Sequence, residues 1–245
     1  MERVSMILHD LTNDVDAWRT FPAYRNWFNK LYVASFSFKM WEIGITGVPV
    51  PPPIQHLSYI VRPIYNLHGM GAGAYIVNPM DEDRDVPVGY FWSPYIQGRH
   101  FSIDYEYDDE MVLYHQYDGR SFEADHFPGE ITKINKWTRS DYKQPFPPQL
   151  KKVIFDNCFD GIPRFVNIEY IVDGMSSYMI EVHFRRNTDF EGLPCGTKHI
   201  YPVWDTDDSA RLIELMKKGN THFKESFDDG NPALVKLKRL GFLYG

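Results

Sequence analysis

Four residues in the second half of the chain carry side chains that could do chemistry together: Glu169, Glu181, His183 and Arg185. Glu181, His183 and Arg185 recur at two-residue intervals, so on an extended strand all three leave the same face. A row of carboxylate, imidazole and guanidinium, with a second carboxylate nearby, suits a hard divalent cation. Such a cation takes one or two carboxylates plus phosphate oxygens and waters, and an arginine beside it suits an anion. The plain alternative is the solvated side of a sheet.

The elements that must position these residues are two strands. Phe165 to Val172 and Tyr178 to Phe184 are dense in β-branched and aromatic residues, and Asp173-Gly174-Met175-Ser176-Ser177 between them has hairpin-turn composition. The pattern predicts an antiparallel hairpin with Glu169 in one strand and Glu181 in the other.

Upstream, residues 10 to 42 read mostly as helix. Asp14 or Asp16 lies in the N-cap region, and Trp18, Phe21, Tyr24, Trp27, Phe28 and Leu31 recur at three and four. Pro22 separates two helical pieces, the second starting near Lys30 and running to about Ile43. Gly47 to Ile54 is a stiff proline-rich connector feeding a strand from Ser58 to Arg62. Gly69, Gly71 and Gly73 then alternate in a loop before the strand Tyr75 to Val77, where exposed backbone N–H groups can face phosphate oxygens. This is neither a Walker loop nor a Rossmann turn, and a simple hairpin turn reads equally well.

Val88 to Ile96, Arg99 to Tyr107 and Met111 to His115 read as successive strands, most simply an antiparallel meander. Residues 118 to 145 have no clear period. Phe146 to Cys158 predicts a short helix with proline in its first turn, Thr206 to Gly219 a helix capped by Thr206, and Asn231 to Leu240 a last helix.

The net charge of −7 argues against a protein whose main business is gripping a nucleic-acid backbone. Cys158 and Cys195 lack metal-ligand spacing and imply a reducing compartment. No h-region opens the chain and no run of 18 apolar residues occurs, so no membrane span is expected and a cytoplasmic location is.

In order and spacing these pieces resemble the ATP-grasp superfamily, with biotin carboxylase and the D-alanine–D-alanine ligases as the members compared. Asn29-Lys30-Leu31, then a helix and Gly47-Val-Pro-Val-Pro, is similar to the family's Asp-Lys, helix, Gly-(Val/Ile)-Pro segment. Tyr59-Ile-Val-Arg62-Pro63 stands where a strand ends in lysine before the phosphate loop. Trp92 to His100 resembles the hinge that binds adenine through its backbone, with His100 at or near the ribose contact. Glu169 and Glu181 match the two magnesium carboxylates, and His183 and Arg185 the asparagine ligand and the arginine beside it. The resemblance covers roughly residues 25 to 190. Arg62 replaces lysine, Ser93 an acid that contacts adenine, and His183 asparagine. Only some 25 residues stand where family members carry a preceding α/β domain.

The resemblance implies an α+β chain with an ATP-grasp fold, two α+β lobes with antiparallel sheets clasping a nucleotide. Residues 1–25 would be a short extension, 26–97 the first lobe and 98–245 the second. It implies a carbon–nitrogen ligase that activates a carboxylate as an acylphosphate, using ATP and Mg²⁺. A non-catalytic nucleotide-binding module and a phosphotransferase are the alternatives. Lys30, Arg62, Asn66, His68, Gly69, Gly71, Gly73, Tyr95, Ile96 and His100 would hold ATP. Glu169, Glu181 and His183 would hold the metal, while Lys30 and Arg62 neutralise phosphate and Arg185 holds the acceptor. Expected partners are small-molecule or macromolecule-borne carboxylate and amine substrates, with a homo-oligomer in view.

Overall fold

The structure, a computed structural model, describes residues 6–37, 57–65, 67, 71, 73–81, 85–110, 113–194, 196–225 and 238–245. The chain opens with a short strand β1 (Leu8–His9), helix α1 (Asp14–Thr20), a 3₁₀ helix (Pro22–Phe28) and helix α2 (Lys30–Ser37). Pro22 begins the 3₁₀ piece, where its fixed φ and missing N–H cost least. The N-cap of α1 is Asn13, whose side chain accepts the N–H of Asp16 at 2.8 Å. Neither expected aspartate caps the helix. The expected extension of α2 to Ile43 and the connector Gly47 to Ile54 lie outside the described residues.

Strands β2 (Tyr59–Pro63), β3 (Tyr75–Val77) and β4 (Tyr90–Pro94) form a three-stranded antiparallel sheet in the order β3-β2-β4. The larger sheet holds β5 (Arg99–Asp108), β6 (Leu113–His126), β7 (Ile134–Arg139), β9 (Phe165–Asp173), β10 (Ser176–His183), β11 (His199–Trp204), β12 (His222–Glu225) and β13 (Arg239–Tyr244). Its order is β10-β9-β5-β6-β7-β11-β13-β12. The short β8 (Ile162–Pro163) pairs in parallel with β1. Helices α3 (Pro148–Asp156) and α4 (Ser209–Lys217) and two short 3₁₀ turns, Cys158–Asp160 and Thr188–Phe190, complete the described elements.

Several expectations change. The meander is broken between Pro94 and Arg99, because β4 pairs with β2 while β5 pairs with β6 and β9. The unassigned stretch 118–145 supplies most of β6 and all of β7, strands whose period is obscured by half-buried polar residues on both faces. Asp208, not Thr206, caps α4 by accepting the N–H of Arg211. Arg239 and Leu240, expected to end a helix, begin β13, where pairing with β11 and β12 buries Arg239, Phe242 and Leu243. The rest of that expected helix lies outside the described residues.

The large sheet separates two environments. Ile103, Tyr105, Val166, Ile168, Tyr170, Val182 and Phe184 pack with Tyr24, Trp27, Phe28 and the α3 residues Leu150 and Ile154 in the main core. Residues of opposite parity, among them Ser102, Asp104, Asn167, Glu169 and His183, point to the other face. That face is covered rather than solvated: Asp104 and Asn167 are fully buried and His183 is 5% exposed. The solvated-sheet reading of the hairpin therefore fails.

Candidate functional site

A cavity of about 180 Å³ lies between the two sheets. On one side it meets Lys30 at the start of α2, Ile60, Arg62 and Pro63 on β2, and Gly71. Across it stand His100, His126, Trp137, Asn167, Glu169, Glu181 and His183 on the large sheet. Its far wall is Arg185, Asn187, Thr188, Asp189 and Arg239.

The hairpin register creates the acidic centre. Glu181 pairs directly with Glu169, and His183 with Asn167, after a bulge between Met179 and Glu181. Residues directly opposite on antiparallel strands share a face, so the two carboxylates project together. Each has a cationic or imidazole neighbour: Lys30 Nζ lies 3.0 Å from Glu181 Oε1, and His100 Nε2 lies 3.2 Å from Glu169 Oε2. Burial alone raises the Glu169 carboxyl, but the His100 hydrogen bond and the charges of His100, His183 and Lys30 hold it down at about 2.

Arg62 differs from the other cations. It is 6% exposed, its guanidinium lies 5.1 Å over the Phe91 ring, and Nη1 donates to the carbonyl of Ile180 at 3.3 Å. Among the described residues, its Nε and Nη2 are buried without a hydrogen-bond partner. Burial pulls this guanidinium down to about 10, although Glu181 and Glu169 oppose the shift. Unsatisfied donors on a buried cation are costly, and an anion in the cavity would satisfy them.

His183 and Arg185 are held from behind. Nδ1 of His183 lies 2.8 Å from Asp14 Oδ2, and Arg185 donates to the same carboxylate from Nε at 3.0 Å and Nη2 at 2.9 Å. Arg185 Nη1 donates to the carbonyl of Arg186. Burial raises the Asp14 carboxyl, but Arg185 and His183 outweigh it and keep the group well below the usual carboxylate range. Burial lowers His183, yet Asp14 and Glu181 together raise it on balance. An imidazole between two carboxylates, with Nε2 3.6 Å from Glu181 Oε1, favours its protonated form and offers the cavity a proton rather than a lone pair. That argues against the expected metal-ligand role, and the bidentate clasp of Asp14 argues against Arg185 as a free acceptor clamp.

The structure thus brings Lys30, Arg62, Gly71, His100, Glu169, Glu181, His183 and Arg185 to one cavity. Gly71 and Gly73 have φ of 58° and 80°, and a Cβ on Gly71 would lie 2.8 Å from the Thr132 side chain, so glycine is needed for this close approach. Tyr95 and Ile96 do not line the cavity. The Tyr95 N–H is given to the carbonyl of Ser58, and Ile96 packs against the cluster around Ala34 and Phe91. Asn66, His68 and Gly69 lie outside the described residues. Among the described residues no three His, Cys, Asp or Glu side chains form a metal centre by themselves, and no helix is long and apolar enough to cross a membrane.

Asp14, His126, Trp137, Asp189 and Arg239 were not anticipated. His126 stacks on His100, with 3.1 Å between Nε2 and His100 Nδ1. Burial, then the adjacent His100, lowers it from 6.5 to about 4 against the pull of Glu169 and Asp125. Arg239 donates to Asp189 at 2.9 Å. The histidine could have been found by the parity it shares with Phe122 and Ala124 on a recognised β6. Arg239 reaches the cavity, and Asp14 the two residues behind its wall, through tertiary packing, and neither left a local signal.

No protein-family profile matches the sequence, and no curated protein matches it. Solved structures do. N5-carboxyaminoimidazole synthetase from Staphylococcus aureus, complexed with ADP, aligns at a TM-score of 0.57 and 11% identity over 91% of this chain and 68% of that one. Carboxyaminoimidazole ribonucleotide synthase from Aspergillus clavatus, complexed with ATP, aligns at 0.56 and 12% identity over 91% and 69%. L-amino acid ligase from Bacillus licheniformis aligns at 0.52 and 12% identity over 91% and 68%. At such identities the likeness is one of fold.

Proposed function

We propose, from the premise that this chain has the ATP-grasp fold, that the cavity binds ATP with Mg²⁺ and supports ligation of a carboxylate to an amine. The observation that carries this reading is Arg62: a buried guanidinium with two unpartnered N–H groups, aimed into a cavity that also holds Lys30 and two facing carboxylates.

Lys30 and Arg62 would take the nucleotide phosphates, Arg62 through the donors that the protein leaves unmet. Gly71, whose lack of a side chain permits close approach, belongs to the loop beside them. Glu169 and Glu181 suit Mg²⁺, which takes one or two carboxylates and completes its shell with phosphate oxygens and water. When bound, the metal would neutralise charge on the phosphates. His183 would act as a donor at the cavity edge. His100 stays tied to Glu169 and His126. Transfer of the terminal phosphoryl group to a carboxylate, followed by amine attack on the acylphosphate, needs fixed charges rather than covalent chemistry by the protein.

A second reading, nucleotide binding without turnover, is favoured by one observation: the fork of Arg185 that would hold an acceptor carboxylate is already filled by Asp14. The first experiment is thermal unfolding with ATP, ADP and GTP, each with and without Mg²⁺. ATP at a hundred times its dissociation constant should stabilise the protein by about 2.7 kcal/mol. No shift with any nucleotide would end both readings; a shift without turnover on any carboxylate–amine pair would leave the second.

A further inference from the structure

The carboxylate that organises the arginine end of the cavity comes from the amino-terminal strap, 169 residues before the histidine it touches. The strap is fixed at several points. β1 runs parallel to β8, with Ile162 N–H donating to Ile7 and Arg164 N–H to His9, each at 2.9 Å. Gly161, at φ +94°, permits this approach, since a Cβ there would lie 2.6 Å from the His9 ring. Asp10 pairs with Arg186. After the Asn13 cap, Asp14 begins α1 at 2% exposure, and Ala17 and Phe21 anchor the helix in the main core.

We propose that Asp14 is a positioning residue of the cavity, setting the orientation of His183 and keeping Arg185 off the Glu169–Glu181 pair. A carboxylate can only accept, so the contact at 2.8 Å requires the proton on Nδ1 of His183 and directs Nε2 toward Glu181. The same two oxygens engage Nε and Nη2 of Arg185 and spend its fork. Without Asp14 the carboxylates that still act on that guanidinium are Asp189, which already accepts from Arg239, and Glu181. Arg185 would then compete for the carboxylate that the nucleotide reading assigns to Mg²⁺.

The test combines two measurements on the full chain. Long-range ¹H–¹⁵N correlation on ¹⁵N-histidine protein, with the His183 signals assigned by their loss in His183→Asn, reads Nδ1 directly. Wild type should show Nδ1 bearing hydrogen; an unprotonated Nδ1 overturns the proposal whatever becomes of the variants. Calorimetric titration with ATP and Mg²⁺ is the second arm, and it alone rests on the nucleotide reading. Asp14→Asn, nearly isosteric, should weaken binding by about tenfold, the usual cost of losing an outer-shell partner. Asp14→Glu should recover part of the loss, and Asp10→Asn, which loosens the strap outside the cavity, should bind as wild type does. Wild-type affinity in Asp14→Asn, or equal losses in Asp10→Asn and Asp14→Asn, overturns the proposal. If wild type binds no nucleotide, the nucleotide reading fails and the Nδ1 measurement still decides the role of Asp14.

Discussion

Two arginine sites face the same side of the large sheet, and they are built in opposite ways. Around Arg120 every strong donor has an internal partner. Its Nε donates to Asp104 at 3.0 Å and another nitrogen to the carbonyl of Phe190, while Asp104, fully buried, also accepts from Asn167 Nδ2 and the Asn187 N–H, each at 2.9 Å. Ser102 joins the network through Asn167 and Asn187, each at 2.9 Å. Arg62 is the more deeply buried, 6% exposed against 15% for the Arg120 side chain, and among the described residues two of its donors are unmet. A saturated network fixes a backbone, here the turn at 187–190 beyond β10. An unsaturated cation in a cavity keeps free energy in reserve for a ligand.

The largest effect should come from breaking the saturated site. Asp104→Ala leaves the Arg120 guanidinium buried without its anion, and chemical denaturation should show a loss of about 3–5 kcal/mol. A loss below about 1 kcal/mol would mean that this network does not hold the turn. The unsaturated site should respond the other way. Arg62→Met removes donors that already lack partners, so stability without ligand should stay within about 1 kcal/mol of wild type. The stabilisation of about 2.7 kcal/mol by saturating ATP should vanish. If Arg62→Met is as costly as Asp104→Ala, the contrast between the two sites collapses.

The smallest effect is a pH dependence. His126, held down at about 4 in the folded protein against 6.5 when unperturbed, binds its proton more readily in the unfolded chain. Its contribution is therefore complete above pH 6.5 and falls away as pH drops toward 4. Denaturant titrations across that window should show a decline of about 1 kcal/mol or more from this residue. That share of the slope should be missing in His126→Gln; an unchanged slope would show that His126 titrates alike in both states.

Legibility varied with range of interaction. Hairpin β9–β10 was readable because alternation and a Gly174 turn are local, and the same parity placed Glu181, His183 and Arg185 on one face. Helix α3 was readable from proline at its start. The β13 strand was not, since Leu-Val-Lys-Leu-Lys-Arg-Leu carries a helical period and only partners on β11 and β12 turn its end into a strand. The later part of β6 and all of β7 were lost for a related reason: their polar residues are buried by contacts with β11, α4 and the 187–190 turn, which no window of a dozen residues contains.

Residue type and spacing by themselves determined that Glu169, Glu181, Lys30 and Arg62 belong to elements able to meet, and that the order of those elements resembles an ATP-grasp core. Only the tertiary structure decided which charges remain available. A carboxylate from α1 closes Arg185 and His183, while among the described residues no carboxylate or second carbonyl reaches Nε and Nη2 of Arg62. Pairing of buried charges depends on which surfaces pack together, and two side chains 171 positions apart leave no trace of their meeting in the local pattern of either.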